Sequence, residues 1–269
     1  MNREPLSLEK LRTCLNRHPW AELVQVMDTV DSTNDLAKAL ALRGAPEGTV
    51  LLADHQSAGR GRLGRSFLSE AQQGIYLSVI LRPRQQAQEL MHLTCGAAVA
   101  ACDALEQGTG IRPGIKWTND LVYDGHKLAG ILTELSLDGA GKVRYAVVGI
   151  GINCSQKPED FPPELGQIAG SVTMMTGREP DRNLLAAELI QALYRLSRTL
   201  ITERKMWMEA YRRDCVTVGR AVAVHDANGT RLGQAQGVDD WGGLLVDFGQ
   251  GPETVQAGEV SVRGMYGYV

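Results

Sequence analysis

The 269-residue sequence is poor in cysteine and in aromatics, and neither sign of charge dominates it. Its five cysteines, Cys14, Cys95, Cys102, Cys154 and Cys215, are odd in number and scattered, with no C-x-x-C pair. That pattern argues against a disulfide framework or a cysteine-bound zinc, and the thiols read as reduced. The histidines His18, His55, His92, His126 and His225 lack metal-ligand spacing, so no structural zinc is expected. No apolar run approaches the ~20 residues of a membrane helix, and the first residues lack the apolar core of a signal peptide, which makes the cytoplasm the expected compartment. With 28 Lys+Arg against 31 Asp+Glu, the net charge of −3 leaves no whole-chain basic field to attract nucleic acid. G-x-S-x-G and G-x-x-x-x-G-K-[ST] are both missing, so neither a serine-hydrolase elbow nor a P-loop is supported. Trp117, Trp207 and Trp241 read as core or rim aromatics. What remains is a folded chain of ordinary composition, 43% hydrophobic and 22% charged, long enough for one or two domains.

Periodicity organises that chain. Leu8, Leu11, Leu15 and Leu23 have helical spacing over residues 8–25, interrupted at His18-Pro19. A second helix follows Asp31-Ser32-Thr33-Asn34, whose oxygens suit an N-cap, with Leu36, Ala39 and Leu40 as its stripe and Gly44 as its stop. Thr49–Ala53 and Gly74–Leu81 read as strands, residues 88–106 as a buried helix ending at Gly108, and 181–212 as one long helix capped by Asp181. Lys127–Leu135 and Val143–Ile150 flank Asp138-Gly139-Ala140-Gly141, so they form a hairpin. Five short strands follow Cys215: Val216–Val224, Arg231–Val238, Leu244–Phe248, Glu253–Gln256 and Glu259–Arg263. The expectation is an α+β fold with a mixed, mostly antiparallel sheet over residues 1–214 and a small SH3-like β-barrel over 215–269.

Three clusters carry chemistry. Gln56 to Arg65 holds Arg60, Arg62 and Arg65 among Gly59, Gly61 and Gly64, with no acid between them. Its literal G-x-G-x-x-G is not a dinucleotide site, because no helix follows and residues 71–88 contain no Asp or Glu to meet a ribose. An anion-binding loop and a solvated basic turn both remain open. Lys116-Trp117-Thr118-Asn119-Asp120 and Lys127-Leu128-Ala129-Gly130-Ile131-Leu132 lie close together in sequence. The two glycines of Gly149-Ile150-Gly151-Ile152-Asn153 read as a bulge, with ligand contact at the backbone as the alternative.

The ordered set of Asp31 to Asn34, Gln56 to Arg65, Gly74 to Ser78, Lys116 to Asp120, Lys127 to Leu132 with Glu134, and Gly149 to Asn153 resembles the bacterial biotin protein ligases. Ala257 to Arg263 resembles that family's C-terminal barrel. The resemblance implies that biotin is joined to AMP from ATP with release of pyrophosphate, then passed to a lysine of the biotin carboxyl carrier protein of acetyl-CoA carboxylase. ATP and Mg²⁺ would be required. Ser32, Thr33, Asn34, Gln56, Arg60, Gly61, Arg62, Lys127, Gly130, Leu132, Gly149 and Gly151 would bind biotin. Arg60, Arg62, Arg65, Lys116, Trp117, Asn119, Lys127 and Asn153 would bind the nucleotide. Lys127, Arg60 and Asp120 would be catalytic, Asp120 orienting or deprotonating the incoming amine.

The chain departs from the family pattern at Leu63, where an arginine-type residue is usual, and at Thr118, where proline is usual. Only 30 residues with one clear helix precede Asp31, so no helix-turn-helix and no repressor activity are expected. A lipoate or octanoate ligase of related fold and a non-catalytic biotin-binding regulator are the alternatives. Association as a homodimer stays open.

Overall fold

The computed structural model describes residues 4–226, 229–257 and 261–264. Ala227 and Asn228 of one expected turn, and Gly258, Glu259 and Val260 of the final motif, lie outside the described residues. In chain order the elements begin with α1 (Leu8–Leu15), β1 (Val24–Val30), α2 (Thr33–Leu42), β2 (Val50–Gln56) and β3 (Gly74–Leu81). They continue with α3 (Leu93–Thr109), β4 (Gly114–Lys116), β5 (Asp120–Tyr123), β6 (His126–Leu137) and β7 (Val143–Asn153). Then come α4 (Val172–Thr176), α5 (Arg182–Thr199), α6 (Arg204–Asp214), β8 (Ala221–Asp226), β9 (Gly229–Val238), β10 (Leu244–Asp247), β11 (Pro252–Val255) and β12 (Ser261–Gly264). Among the described residues no helix is long and apolar enough to cross a membrane.

A seven-stranded sheet in the order β1-β2-β3-β7-β6-β5-β4 carries the fold. Only β1 and β2 are parallel; every other pair is antiparallel. β3 is buried along its whole length, which is why it reads as an unbroken apolar run instead of an alternating one. One face of the sheet is covered by α3 and α5, with α1 and α6 packed on them. The other face carries α2, whose Ala37 and Ala41 pack on Leu51, Ile80, Tyr145 and Val147. The α+β reading with a mostly antiparallel sheet holds, and a separate five-stranded antiparallel sheet, β11-β10-β9-β8-β12, occupies the C-terminal region.

Several local expectations need correction. β1 lies at the sheet edge with half its residues toward solvent, so it leaves no continuous apolar signal and the helical spacing of 8–25 obscured it. After α1 the chain makes only a 3₁₀ turn at Ala21–Leu23 before entering that strand. The stripe of α2 is Ala37 and Ala41, with Leu36 and Leu40 half-buried, whereas Ala39 is exposed. α3 passes through Gly108 and ends at Gly110, whose φ of 78° supplies the left-handed cap that a side chain resists. The long helix over 181–212 is two helices, broken where the β-branched Thr199, Ile201 and Thr202 cluster, and this lets α6 turn onto α3. Its N-terminus is as expected: Asp181 accepts from the amides of Asn183 and Leu184.

Asp214 fastens the end of α6. Its carboxylate, 8% exposed, accepts from Arg112 Nη2 at 2.7 Å and Arg213 Nε at 2.8 Å, and Arg112 also reaches Asp103 on α3 at 2.8 Å. Burial pushes the Asp214 carboxyl up, but hydrogen bonds from Arg213 and Arg112 outweigh it and hold the group below its ordinary value. A depressed carboxyl stabilises the fold above its unfolded pKa, about 3.9, and that contribution is lost as pH falls through the lower folded value. Asp214→Asn is therefore expected to cost about 2 kcal/mol at neutral pH. Urea melts should show the difference from the parent shrinking as the pH falls below that unfolded value.

Candidate functional site

The register of the central strands builds a floor. Tyr76, Gly151 and Gly130 align across β3, β7 and β6 in one row; Ser78, Gly149 and Leu132 form the next; Ile80, Val147 and Glu134 the third. α2 covers the third row, so its N-terminus opens over the first two. The pairing continues without a register shift through Gly149 and Gly151, so these glycines are not a bulge. They are places of close approach. A Cβ on Gly149 would stand 2.0 Å from Asn34 Oδ1, and one on Gly151 would stand 2.5 Å from Phe67 Cε1.

Over this floor lies a cavity of about 610 Å³. One wall comes from the start of α2 and the end of β2. Ser32 caps the helix, its hydroxyl accepting from the Asp35 amide at 3.4 Å. Thr33 donates its amide and hydroxyl to Gln56 Oε1 at 2.8 and 3.0 Å, and Gln56 Nε2 donates to Ser69 at 2.8 Å. The Ser78 hydroxyl sits 2.6 Å from Asn34 Oδ1 and 2.8 Å from Thr33 Oγ1. Apart from the half-buried Gln56 these side chains are buried, and their hydrogen bonds fix their rotamers before any ligand arrives.

The arginine loop forms the rim. Its two arms pair through Arg60 and Ser66, with Gly61 N donating to Arg65 O at 2.7 Å. Arg60, Gly61, Arg62, Leu63 and Arg65 all line the cavity, and Leu63 sits at the tip with φ 55°. Arg60 contacts Asp35 on α2, and Lys38 bonds Asp35 and Glu134, each at 2.8 Å. Burial alone would raise the Asp35 carboxyl, but hydrogen bonds from Lys38 and Arg60 hold it below its ordinary value. Arg62 donates to Asn119 Oδ1 at 3.0 Å and contacts the Ala257 carbonyl. Burial lowers its pKa, yet a guanidinium starting from so high a value stays charged.

The far wall is the β4–β5 turn with β6. Lys116, Trp117, Asn119 and Asp120 line it, joined by Lys127, Gly130 and Leu132. Lys127 Nζ pairs with Asp120 Oδ1 at 2.7 Å. Asn119 Nδ2 donates to the Ile131 carbonyl at 3.0 Å, while Trp117 Nε1 donates to the Gly242 carbonyl at 2.9 Å. Among the described residues Asp120 is the only acid on the lining, against five cations, Arg60, Arg62, Arg65, Lys116 and Lys127. The space is therefore suited to an anion with an apolar body.

Of the residues given a biotin, nucleotide or catalytic role in the sequence analysis, only Asn153 is absent from the cavity lining. It ends β7, and its amide is engaged with the Gly170 carbonyl at 3.0 Å and with Gln156 at 3.4 Å. Sequence reasoning missed Phe67, whose ring lies over Gly151, and Gln167 and Ile168 on the lining. It named the motif Gly74 to Ser78 without a role; the structure puts Tyr76 on the lining and Ser78 beneath Thr33 and Asn34. A lone aromatic two residues beyond Arg65 was the available sign for Phe67; nothing local marks Gln167 and Ile168.

Fold and cavity together define a class of α+β proteins in which one deep, cation-rimmed cavity rests on a mostly antiparallel sheet. The chain belongs to the biotin/lipoate A/B protein ligase family, whose model matches residues 26–153, and a biotin protein ligase C-terminal domain matches residues 217–263. The bifunctional ligase/repressor BirA of Bacillus subtilis is 35% identical over 261 residues, covering 96% of this chain and 79% of that protein. The biotin–[acetyl-CoA-carboxylase] ligase of Mycobacterium tuberculosis is 33% identical over 246 residues, 90% of this chain and 89% of its own length. The structure of the biotin protein ligase from Aquifex aeolicus in complex with biotin and ATP superposes with a TM-score of 0.77 at 28% identity, over 90% of this chain and 98% of that one.

The floor generates a stability prediction. Gly149→Ala drives a methyl into Asn34, which Ser78 and Glu134 hold in place. Overpacking of this kind costs about 1–3 kcal/mol. A lowered urea midpoint with an unchanged m-value would report it.

Proposed function

We propose that this chain is an ATP-dependent biotin–protein ligase. A biotin carboxylate oxygen attacks the α-phosphorus of ATP, the bond to pyrophosphate breaks, and biotinyl-5'-AMP forms. A lysine amine of the biotin carboxyl carrier protein of acetyl-CoA carboxylase then attacks the anhydride carbonyl, and AMP leaves. The observation that carries this reading is the single cavity that gathers five cations, one acid and a polar helix N-terminus around a glycine floor. Two anions must meet in the first step, and fixed cations both offset their repulsion and stabilise charge developing at phosphorus.

In this reading Ser32, Thr33, Asn34 and Gln56 hold the polar ureido ring, and Gly130, Leu132, Gly149 and Gly151 line the channel for the rest of biotin. Lys127 meets the biotin carboxylate and the α-phosphate, exchanging part of its pairing with Asp120 for theirs. Arg60, Arg62, Arg65 and Lys116 clamp the phosphates, with Trp117 and Asn119 beside the nucleotide. Asp120, already hydrogen-bonded within the site, orients the incoming amine and takes its proton. Asn153, committed to Gly170 and Gln156, is given no nucleotide role. Residues 1–214 act as the catalytic unit, and residues 215–269 close one side through Val262.

Mg²⁺ enters as part of the nucleotide substrate. No group of three or more His, Cys, Asp or Glu that could hold a metal occurs among the described residues. Asp120 is the one acid on the cavity lining among the described residues, so the triphosphate oxygens supply most of the ion's ligands in this reading.

Pyrophosphate release from ATP and Mg²⁺ by the purified chain should rise with biotin and stay at background with lipoate, octanoate or no acid. Stimulation by lipoate or octanoate instead would move the assignment to an acyl ligase; tight biotin binding without any release would make the chain a regulator. Lys127→Ala should lower kcat/KM for biotin-dependent release by about 10²–10³. Full activity in that variant would remove Lys127 from the mechanism.

A further inference from the structure

Glu134 stands in the β6 motif, yet none of the steps above uses it. Its side chain, 24% exposed, lies one row beyond Leu132 on the face that α2 covers. One carboxylate oxygen accepts from Asn34 Nδ2 at 2.9 Å, and the same NH₂ also donates, at 3.3 Å, to the Leu132 carbonyl. The other accepts from Lys38 Nζ at 2.8 Å and lies 3.8 Å from Arg60 Nη1. On the opposite side of the same amide, the Ser78 hydroxyl is 2.6 Å from Asn34 Oδ1.

Those contacts leave Asn34 one orientation. A carboxylate paired with an ammonium accepts and does not donate, so the NH₂ end of the amide must face it. Lys38 bonds the second oxygen, which keeps the carboxylate from swinging away. The Asn34 carbonyl is thereby turned toward Ser78 and Gly149, on the cavity side. An amide oxygen has two lone pairs, so beyond Ser78 it can accept one more hydrogen. A flipped amide would present two N–H donors at the same place.

We propose that Glu134 is a positioning residue whose charged acceptor, reinforced by the longer contact to the Leu132 carbonyl, sets the polarity of Asn34 and makes this corner of the cavity an acceptor for a ligand N–H. The proposal rests on the biotin-ligase reading, in which the ligand group there is a ureido N–H. Glu134 touches no substrate; it acts through Asn34. The effect therefore falls on biotin and not on ATP, and it requires Asn34 to be present.

The test is steady-state pyrophosphate release at varied biotin and varied ATP. Glu134→Ala should raise the biotin KM about tenfold, the worth of one well-placed hydrogen bond, and leave the ATP KM within about twofold. Glu134→Gln, which keeps an acceptor, should return the biotin KM to within about threefold of the parent. In an Asn34→Ala background, Glu134→Ala should add nothing. An unchanged biotin KM, equal losses for both substrates, no rescue by Gln, or additive losses in the double variant would each overturn the proposal. A parent chain that biotin does not stimulate would overturn the functional reading instead. The contact is then tested on its own in the ¹⁵N-labelled, ligand-free chain: the Asn34 side-chain NH₂ resonances should move in Glu134→Ala and stay near the parent in Glu134→Gln. Resonances that do not move in Glu134→Ala would end the positioning role whatever the enzyme does.

Discussion

The absence of Cβ atoms along two adjacent strands is the constraint on which the site depends. Gly149 and Gly151 on β7 face Leu132 and Gly130 on β6, and this gap lets Asn34 and Phe67 descend to the backbone of the sheet. Ordinary side chains there would push α2 and the arginine loop outward, and the space between them would not take its present shape. The helix N-terminus, the rim of guanidiniums and the Lys127–Asp120 pair are all placed relative to that floor. A packing decision in the middle of a sheet thus sets the chemistry above it.

Charge is distributed with equal economy. Arg60 and Lys38 are balanced by Asp35 on α2 and Glu134 on β6, and Lys127 by Asp120 across the cavity. These three cations are held by acids, and Arg62 by the neutral oxygens of Asn119 and Ala257, which limits the cost of crowding like charges in a partly buried space. An arriving anion does not have to create order among these groups; it exchanges one partner for another.

Much of this was legible in the sequence, and for identifiable reasons. β3 is buried on both faces and so wrote a continuous apolar run, while β6 and β7 flank a turn that announces itself at Asp138–Gly141. Ser32 announced the start of α2 through the chemistry of its cap. The clusters around Arg60, Lys116 and Lys127 were visible as residue types, although only the fold brings them to one cavity. What stayed hidden depends on contacts between distant segments. The glycines of β7 read as a bulge because their reason for being small is Asn34 and Phe67, far away in sequence. β4 and β5 are too short to write a period, and Ser78 looked like any polar residue in a strand until Thr33 and Asn34 stood over it. Asn153 sits in the right motif but points its amide at Gly170.

Three of the hydrogen bonds that hold the C-terminal region to the rest of the chain share a property. Trp117 Nε1 donates to the carbonyl of Gly242, Arg62 to that of Ala257, and Arg212 Nε to that of Val238. In all three the acceptor is main chain, which every amino acid supplies equally. These three hydrogen bonds accordingly depend on the backbone trace of the C-terminal region and not on the identity of the side chains at the acceptor positions. Selection on these three hydrogen bonds themselves falls on the donors Trp117, Arg62 and Arg212, whereas Gly242 and Val238 are constrained on other grounds, Gly242 by its φ of 90° and by Cys95 Sγ 2.7 Å from where a Cβ would stand, Val238 by its burial in the core.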